Sequence, residues 1–536
     1  MTSKVFDFAD HLVSEMAERD PMLAIELGIP INALPDYSVA KNLADLDFYN
    51  RKLEELNALI AESHFDEVAI SVMRERLNVW RDGLLAEDYL SDLNNLASPI
   101  QNLRMIFDLL PADAMDSGLW VALVTGLPAA LNSYRETLET GLSLNKSASA
   151  RQARTAAKQC FDFGAYFTKT AAENGTGVAE AEIAALSFEQ FGDWLESTYA
   201  EKTQSQDGVG PERYEREIRR WTGAKVDAFA LHEWGWQELT SIYQRMQQVA
   251  EKIAPGTTPA GISKVLDADE RYVITGEAEI LAFLRKITDT AIAELRDSHF
   301  KIDPKIEFCD IKIAPEGSAS APYYMPPAED FSRAGTTFLP KLGTDKFHTW
   351  HLVSTWYHEA VPGHHLQMGA TMLMDEQLSR FQRTVGWTSG YAEGWALYAE
   401  RLMDELGYFS DSGFEMGFLS AQALRAARVV VDTGMHLGLK TPVNALGIEP
   451  GQPIDYEFSR NLLQTHALQA PDVAESETIR YLGLPAQAIS YKLGEKMILE
   501  LREAAKQKAD FDLALWHQSL LNVGPVGLDT LKLLLS

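Results

Sequence analysis

From the N-terminus to about residue 300, apolar side chains recur three and four positions apart in long runs, broken by short polar, Pro or Gly stretches. That period marks helices that bury one face. It predicts a helical hairpin over Asp45–Ala61 and Phe65–Leu85 and a long helix over Ser147–Glu173. A further helix is predicted over Glu277–Ser298, where Ile280, Leu281, Leu284, Ile287, Ala291 and Leu295 follow the helical period. Lys202–Pro211 (K-T-Q-S-Q-D-G-V-G-P) reads as a loop or linker, and no fixed-period repeat is present.

The period changes between residues 305 and 340. Ile306–Ile313 alternates as a strand does, Pro322–Met325 is a short aromatic strand, and Gly335–Leu339 is a third. Pro/Gly-rich breaks between them suit hairpins, so a small antiparallel sheet is expected there. Beyond residue 345 the pattern is helical again. Phe347–Tyr357 reads as a buried helix leading into His358, and Arg425–Leu437 reads as another.

The chain's 536 residues predict either two lobes, 1–300 helical and 301–536 carrying the sheet and the chemistry, or one continuous body. An apolar fraction of 46% with 10% aromatics predicts a folded core. No apolar run is long enough for a spanning helix, and the first residues lack a signal peptide's apolar segment, so a cytoplasmic protein with no membrane partner is expected. The 48 basic against 77 acidic residues leave a formal charge of −29, which disfavours a nucleic-acid partner. With Cys160 and Cys309 the sole cysteines, no disulfide framework or thiolate cluster is expected, and any metal must use His and carboxylate ligands.

Five of the twelve histidines fall between His348 and His365. Within that segment His358-Glu359-Ala360-Val361-Pro362-Gly363-His364-His365 opens like the H-E-x-x-H zinc helix, in which two histidines four apart share a face and the Glu polarises water. Pro362 stands where the second His belongs. On an unbroken helix His365 would share the face of His358 but lie about 10.5 Å along the axis, and His364 would point about 120° away. Pro362 cannot donate to the His358 carbonyl, which predicts a kink or bulge, and Gly363 gives it a permissive backbone. Looping out two residues returns His364 to the second ligand position. His358 and His364 are therefore the expected metal ligands, with His365 the alternative and Glu359 the expected general base. A third ligand is expected at Glu393, 29 residues after His364 on a neighbouring helix, with Glu400 on the same face positioned to orient a ligand histidine. By contrast, the isolated His232-Glu233 pair in H-E-W-G-W reads as core.

The blocks H-E-A-V-P-G-H-H-L-Q, Y-A-E-G-W-A-L-Y-A-E, R-A-A-R-V-V-V-D-T-G-M-H and L-P-A-Q-A-I-S-Y-K-L-G, with the opening D-P-M-L-A-I-E-L-G-I-P, resemble in order the bacterial family known as domain of unknown function 885. That family resembles the thermostable zinc carboxypeptidases and thimet-type oligopeptidases. The resemblance implies a mainly α, two-lobed body with a deep cleft and one zinc ion per chain, and the small sheet, read from the alternation just upstream of the signature, is expected next to the metal helix. It also implies Glu393 as third ligand. The two-residue insertion before His364 departs from those relatives' motif.

A zinc peptidase also needs a group for the tetrahedral oxyanion and a grip on the peptide. The resemblance implies a C-terminal His or Tyr for the first, and His436, Tyr481 and Tyr491 are at hand. His436 and Tyr491 are the expected oxyanion groups, and Tyr481 is assigned to substrate binding. On the Arg425–Leu437 helix, Arg428, Asp432 and His436 recur every four positions and share a face. A terminal carboxylate would be gripped by Arg480 or, second, Arg428. Tyr324 lies on a strand that offers an edge to an extended peptide. The expected function is zinc-dependent hydrolysis of short peptides by a carboxypeptidase or oligopeptidase, as monomer or homodimer. The alternatives are hydrolysis of a non-peptide amide and a catalytically silent helical peptide-binding module.

Overall fold

The computed structural model describes residues 3–314 and 321–536. Those residues are mainly helical, as the apolar period predicts. The expected hairpin is α1 (Val39–Asn57) and α2 (His64–Leu85), each opened by a serine whose hydroxyl accepts a backbone N–H three residues on: Ser38 from Lys41 at 3.2 Å and Ser63 from Asp66 at 3.1 Å. The next expected helix is α3 (Ala150–Asn174). It packs on α4 (Val178–Trp194), with the Phe167 and Phe188 rings stacked at 5.7 Å inside an aromatic core.

The chain forms two compact units, Met1–Arg216 with Ser476–Pro485, and Glu217–Glu475 with Ala486–Ser536. The boundary thus lies well before residue 300, where the sequence places it. One reason is α5 (Ala228–Ile253), which packs along a later helix of the second unit: His232 Nδ1 lies 2.7 Å from Thr433 Oγ1 and its Nε2 accepts from Trp236 Nε1 at 3.1 Å. His232 is accordingly a bonded core residue. The other reason is Ser476–Pro485, which belongs with the first unit, where Gln152 Nε2 donates to the Ile479 carbonyl at 2.8 Å.

In the second unit α6 (Glu277–Leu295) begins where the sequence predicts. Its neighbours are two small sheets. Strand β1 (Val273–Thr275) pairs antiparallel with the later β5 (Lys346–His348). Between them β2 (Asp310–Ile313), β3 (Tyr323–Met325) and β4 (Thr336–Leu339) form a sheet of order β2-β4-β3. The β3–β4 pair is antiparallel, as expected, whereas β2 runs parallel to β4 with Ile311 opposite Thr337. The expected hairpin connection between β2 and β3 falls at residues 315–320, outside the described residues.

The helix expected from Phe347 begins two residues later as α7 (Thr349–Glu359), because Lys346–His348 is taken by β5. The helices α8 (His364–Met372), α9 (Ser389–Glu405), α10 (Ser412–Leu437), α11 (Ser490–Ala505) and α12 (Leu513–Val523) complete the elements that build the site. One apolar cluster ties α7 down: Trp356 and Leu352 pack with Ile280 and Leu284 of α6 and with Ile311 and Leu339 of the sheet. The buried Trp356 indole is satisfied by Thr288 Oγ1 at 2.9 Å.

Candidate metal centre

Helix α7 ends at Glu359, and α8 starts at His364. The sequence predicts a kink or a two-residue bulge at Pro362; instead the helix stops and restarts. Across the break the Val361–Pro362 peptide is cis, Gly363 N donates to the Tyr357 carbonyl at 3.0 Å, and His365 N donates to the Ala360 carbonyl at 3.1 Å. Gly363 fits because it lacks a side chain. A Cβ there would lie 1.9 Å from the His358 carbonyl oxygen, the very acceptor that proline's missing N–H leaves open.

The break turns His364 back toward His358. Their ring centroids are 4.8 Å apart and nearly perpendicular, and ligand atoms of His358, Glu359 and His364 all lie within 4.8 Å of one another. Both Nε2 atoms converge on one carboxylate oxygen, Glu393 Oε2, at 3.1 Å from His358 and 3.5 Å from His364. Glu393 comes from α9, and so does Glu400, whose Oε1 is 2.9 Å from His358 Nδ1. Ser354, one turn before His358 on α7, donates its hydroxyl to the other oxygen of Glu400. His358, Glu359, His364 and Glu400 are all buried, and the His364 Nδ1 has no hydrogen-bond partner among the described residues.

The charge balance explains what such a group can hold. Two buried carboxylates, Glu359 and Glu400, and the partly exposed Glu393 stand close together, with the Arg425 Nη2 3.9 Å from Glu400. Burial opposes a charge on His358, but its bonds to Glu393 and Glu400 outweigh that, and its pKa is raised to about 9. Burial likewise works against an ionised Glu393, yet the bonds from His358 and His364 hold its pKa well below the usual carboxylate value. Glu359 moves up, chiefly through burial, against the partial opposition of the two imidazoles. Two nitrogens and an oxygen converging in an anionic pocket are donors suited to a borderline divalent cation. The residues present therefore fit a metal.

This arrangement predicts a pH dependence. His358 is raised above its unfolded value of about 6.5, so the stability it contributes without metal is fully present below about pH 6.5 and lost as pH rises through about 9. A metal ligand must be deprotonated, so the same proton competes with the ion. Zinc affinity is expected to rise by about tenfold per pH unit across that window, while the melting temperature of the metal-free protein falls. Calorimetric titration at several pH values checks both, and an affinity flat with pH would refute the competition.

His365, the alternative ligand, faces elsewhere. Its Nε2 is 2.8 Å from the Ile306 carbonyl and must be the donor, which leaves Nδ1 to accept from the Tyr324 hydroxyl at 3.0 Å. The two residues expected as substitute ligand and strand-edge contact are thus bonded to each other, with His365 held neutral by burial, its pKa lowered to about 4. Tyr491 stacks on His358, centroids 6.4 Å apart and planes 17° apart, and the Arg428 guanidinium lies 4.8 Å over the Tyr491 ring. Helices α9 and α11 cross closely enough to bring this about: a Cβ on Gly394 would lie 2.5 Å from the Gly494 Cα. His436 lies two turns beyond Arg428, about 12 Å along α10. Its Nε2 is 3.7 Å from Asp432, whose other oxygen accepts from the Ala486 amide at 3.0 Å. Arg480 and Tyr481 both engage Glu477, at 3.0 and 2.6 Å, within the segment that belongs to the first compact unit. Sequence reasoning missed Ser354 and Arg425. The first is marked by its i, i+4 spacing from His358 and the second by its i, i+3 spacing from Arg428.

The fold and the site define a large helical protein with a buried His-Glu-His group of metal-ligand geometry. The chain belongs to the bacterial proteins of unknown function grouped as DUF885, whose family model matches residues 21–535. It is similar in structure to a candidate lipoprotein from Colwellia psychrerythraea, with a TM-score of 0.83, 19% identity, and 99% of this chain and 98% of that chain covered. It is also similar to a candidate lipoprotein of unknown function from Shewanella oneidensis, with a TM-score of 0.77, 18% identity and full coverage of both chains. A candidate oligoendopeptidase F from Bacillus anthracis aligns at a TM-score of 0.36 and 11% identity, over 93% of this chain and 92% of that one. Comparison with curated proteins gave no match. The cytoplasmic expectation is corrected by the first two structures, since both are described as candidate lipoproteins. That expectation rested on the want of an apolar leader. No helix among the described residues is long and apolar enough to cross a membrane.

Proposed function

We propose that this chain is a zinc-dependent metallopeptidase acting on short peptides. The observation that carries the reading is the convergence of His358 Nε2 and His364 Nε2 on one oxygen of Glu393, with Glu359 beside them. Zinc held by His358, His364 and Glu393 would polarise the scissile carbonyl and lower the pKa of water. Glu400, accepting from Ser354, fixes the tautomer and plane of His358. A Glu359 carboxylate oxygen takes a proton from the attacking water as the water oxygen bonds to the carbonyl carbon. The same carboxyl then delivers that proton to the amine nitrogen as the C–N bond breaks.

Tyr491 is the better supported donor to the oxyanion, because its ring lies against His358 whereas His436 faces Asp432. For a terminal carboxylate, Arg428 is favoured over Arg480 by its place above the Tyr491 ring, and this inclines the reading toward carboxypeptidase action. The outer edge of β3 lies at the border of its sheet and suits an extended peptide.

Elemental analysis of protein purified without chelators, joined to mass spectrometry of peptide mixtures, tests the proposal. Near-stoichiometric zinc and trimming from one end are expected. Zinc far below stoichiometry, with no gain in cleavage when zinc is added, would overturn it and favour a silent peptide-binding module.

A further inference from the structure

We propose that Trp395 is a positioning residue for His364, acting on the backbone of the break rather than on the metal group itself. The inference rests on the reading that His358 and His364 share a metal. The break exposes carbonyls as well as amides. Gly363 N and His365 N are taken up by carbonyls of α7 and the break, and the Gly363 carbonyl accepts from Gln367 N of α8 at 3.2 Å, but the Pro362 carbonyl has to be met from another element. The Trp395 indole N–H meets both, at 2.9 Å to Pro362 O and 3.2 Å to Gly363 O, in a fully buried bifurcated bond.

Trp395 stands on α9 between Glu393 and Glu400. One helix therefore presents the carboxylate on which both imidazoles converge, the carboxylate that orients His358, and the donor that fixes the hinge between the two histidines. The indole is itself immobilised. It meets Phe300 edge-on at 6.0 Å and His517 of α12 edge-on at 6.3 Å, and His517 Nε2 lies 2.7 Å from the Tyr398 hydroxyl. Removal of the N–H leaves the buried Pro362 carbonyl without this donor and the Gly363 carbonyl with Gln367 N alone, and His364, the first residue of α8, is free to drift from His358. Metal sites tolerate about 0.5 Å of such drift before affinity falls.

The test uses the full chain carrying Trp395→Phe, with zinc affinity read by chelator competition and backbone amide exchange of residues 360–366 read by mass spectrometry on the metal-free form. Zinc binding about 10- to 100-fold weaker, the range found when outer partners of ligands are lost, and faster exchange at Gly363 and His365 are expected. Tyr398→Phe is the matched control: it loosens the packing behind the indole but keeps the N–H, so zinc affinity should hold. Should Trp395→Phe not fold, benzothienylalanine placed at 395 by amber suppression keeps the shape and lacks the donor, and the same loss of zinc affinity is expected. Wild-type affinity in the Phe or benzothienylalanine protein would overturn the proposal. Equal weakening by Tyr398→Phe would do so too, since the effect would then be general loosening. A wild-type protein that takes up no zinc would instead bring down the metal reading, and the positioning role with it.

Discussion

Glu359→Gln is expected to keep zinc and lose turnover by about 10²- to 10⁴-fold, the usual contribution of a general base. Gln has the same shape and accepts a hydrogen bond, but it cannot take the proton of the attacking water. The proposed ligands are His358, His364 and Glu393, so the substitution leaves each of them in place. Two electrostatic effects on zinc oppose each other. The loss of one buried negative charge weakens attraction for a dication, but the Glu359 charge also favours the proton on His358 that zinc must displace, so its loss makes that proton easier to remove. Zinc content by elemental analysis and single-turnover cleavage of a peptide mixture check the result. Full activity would remove Glu359 as the base, and loss of zinc together with activity would make it a ligand. Glu400→Gln should do the reverse at first order, weakening zinc by about 10- to 100-fold through the lost orientation of His358.

How much of this was legible follows the range of the interactions concerned. Helical stretches were readable because amphipathic period is local: α3 and α6 lie within a few residues of the segments the sequence marks. Strand existence was readable too, but pairing was not, since the parallel partnership of β2 with β4 depends on contacts across residues 310–339 that no alternation encodes. The domain boundary failed for the same reason, because Ser476–Pro485 joins the first unit through contacts such as that of Gln152 with Ile479, more than three hundred residues apart. At the site the sequence exposed the histidines, Glu359 and the spaced acids of α9. It favoured His364 over His365 but could not settle the choice, which depends on where α8 restarts and on the Ile306 carbonyl and the Tyr324 hydroxyl waiting for His365. Ser354, Arg425 and Trp395 went unnoticed because their partners lie on other helices or in the break.

Gly363→Ala is expected to destabilise the protein by at least about 3 kcal/mol, the upper part of the range for overpacking, and to abolish tight zinc binding. The new Cβ would lie 1.9 Å from the His358 carbonyl oxygen, 2.5 Å from its carbon and 2.5 Å from the Tyr357 oxygen. All three are backbone atoms, so no side-chain rotation can relieve the clash, and the end of α7 or the start of α8 has to move by more than an ångström. His358 and His364 stand on opposite sides of that junction and would separate. Gly83→Ala in α2 provides the contrast, because a Cβ there meets nothing within 4 Å and its φ is not positive. That substitution should be neutral or stabilise by about 0.5–1 kcal/mol through the better helix propensity of Ala, with zinc affinity untouched. Urea unfolding of the metal-free proteins and zinc competition on the same samples compare the two. Wild-type stability and affinity in Gly363→Ala would mean that the break is not held as tightly as its packing requires. A stability loss with unaltered zinc affinity would mean that the break and the metal group are independent, and that His364 owes its place to something other than the stop and restart of the helix.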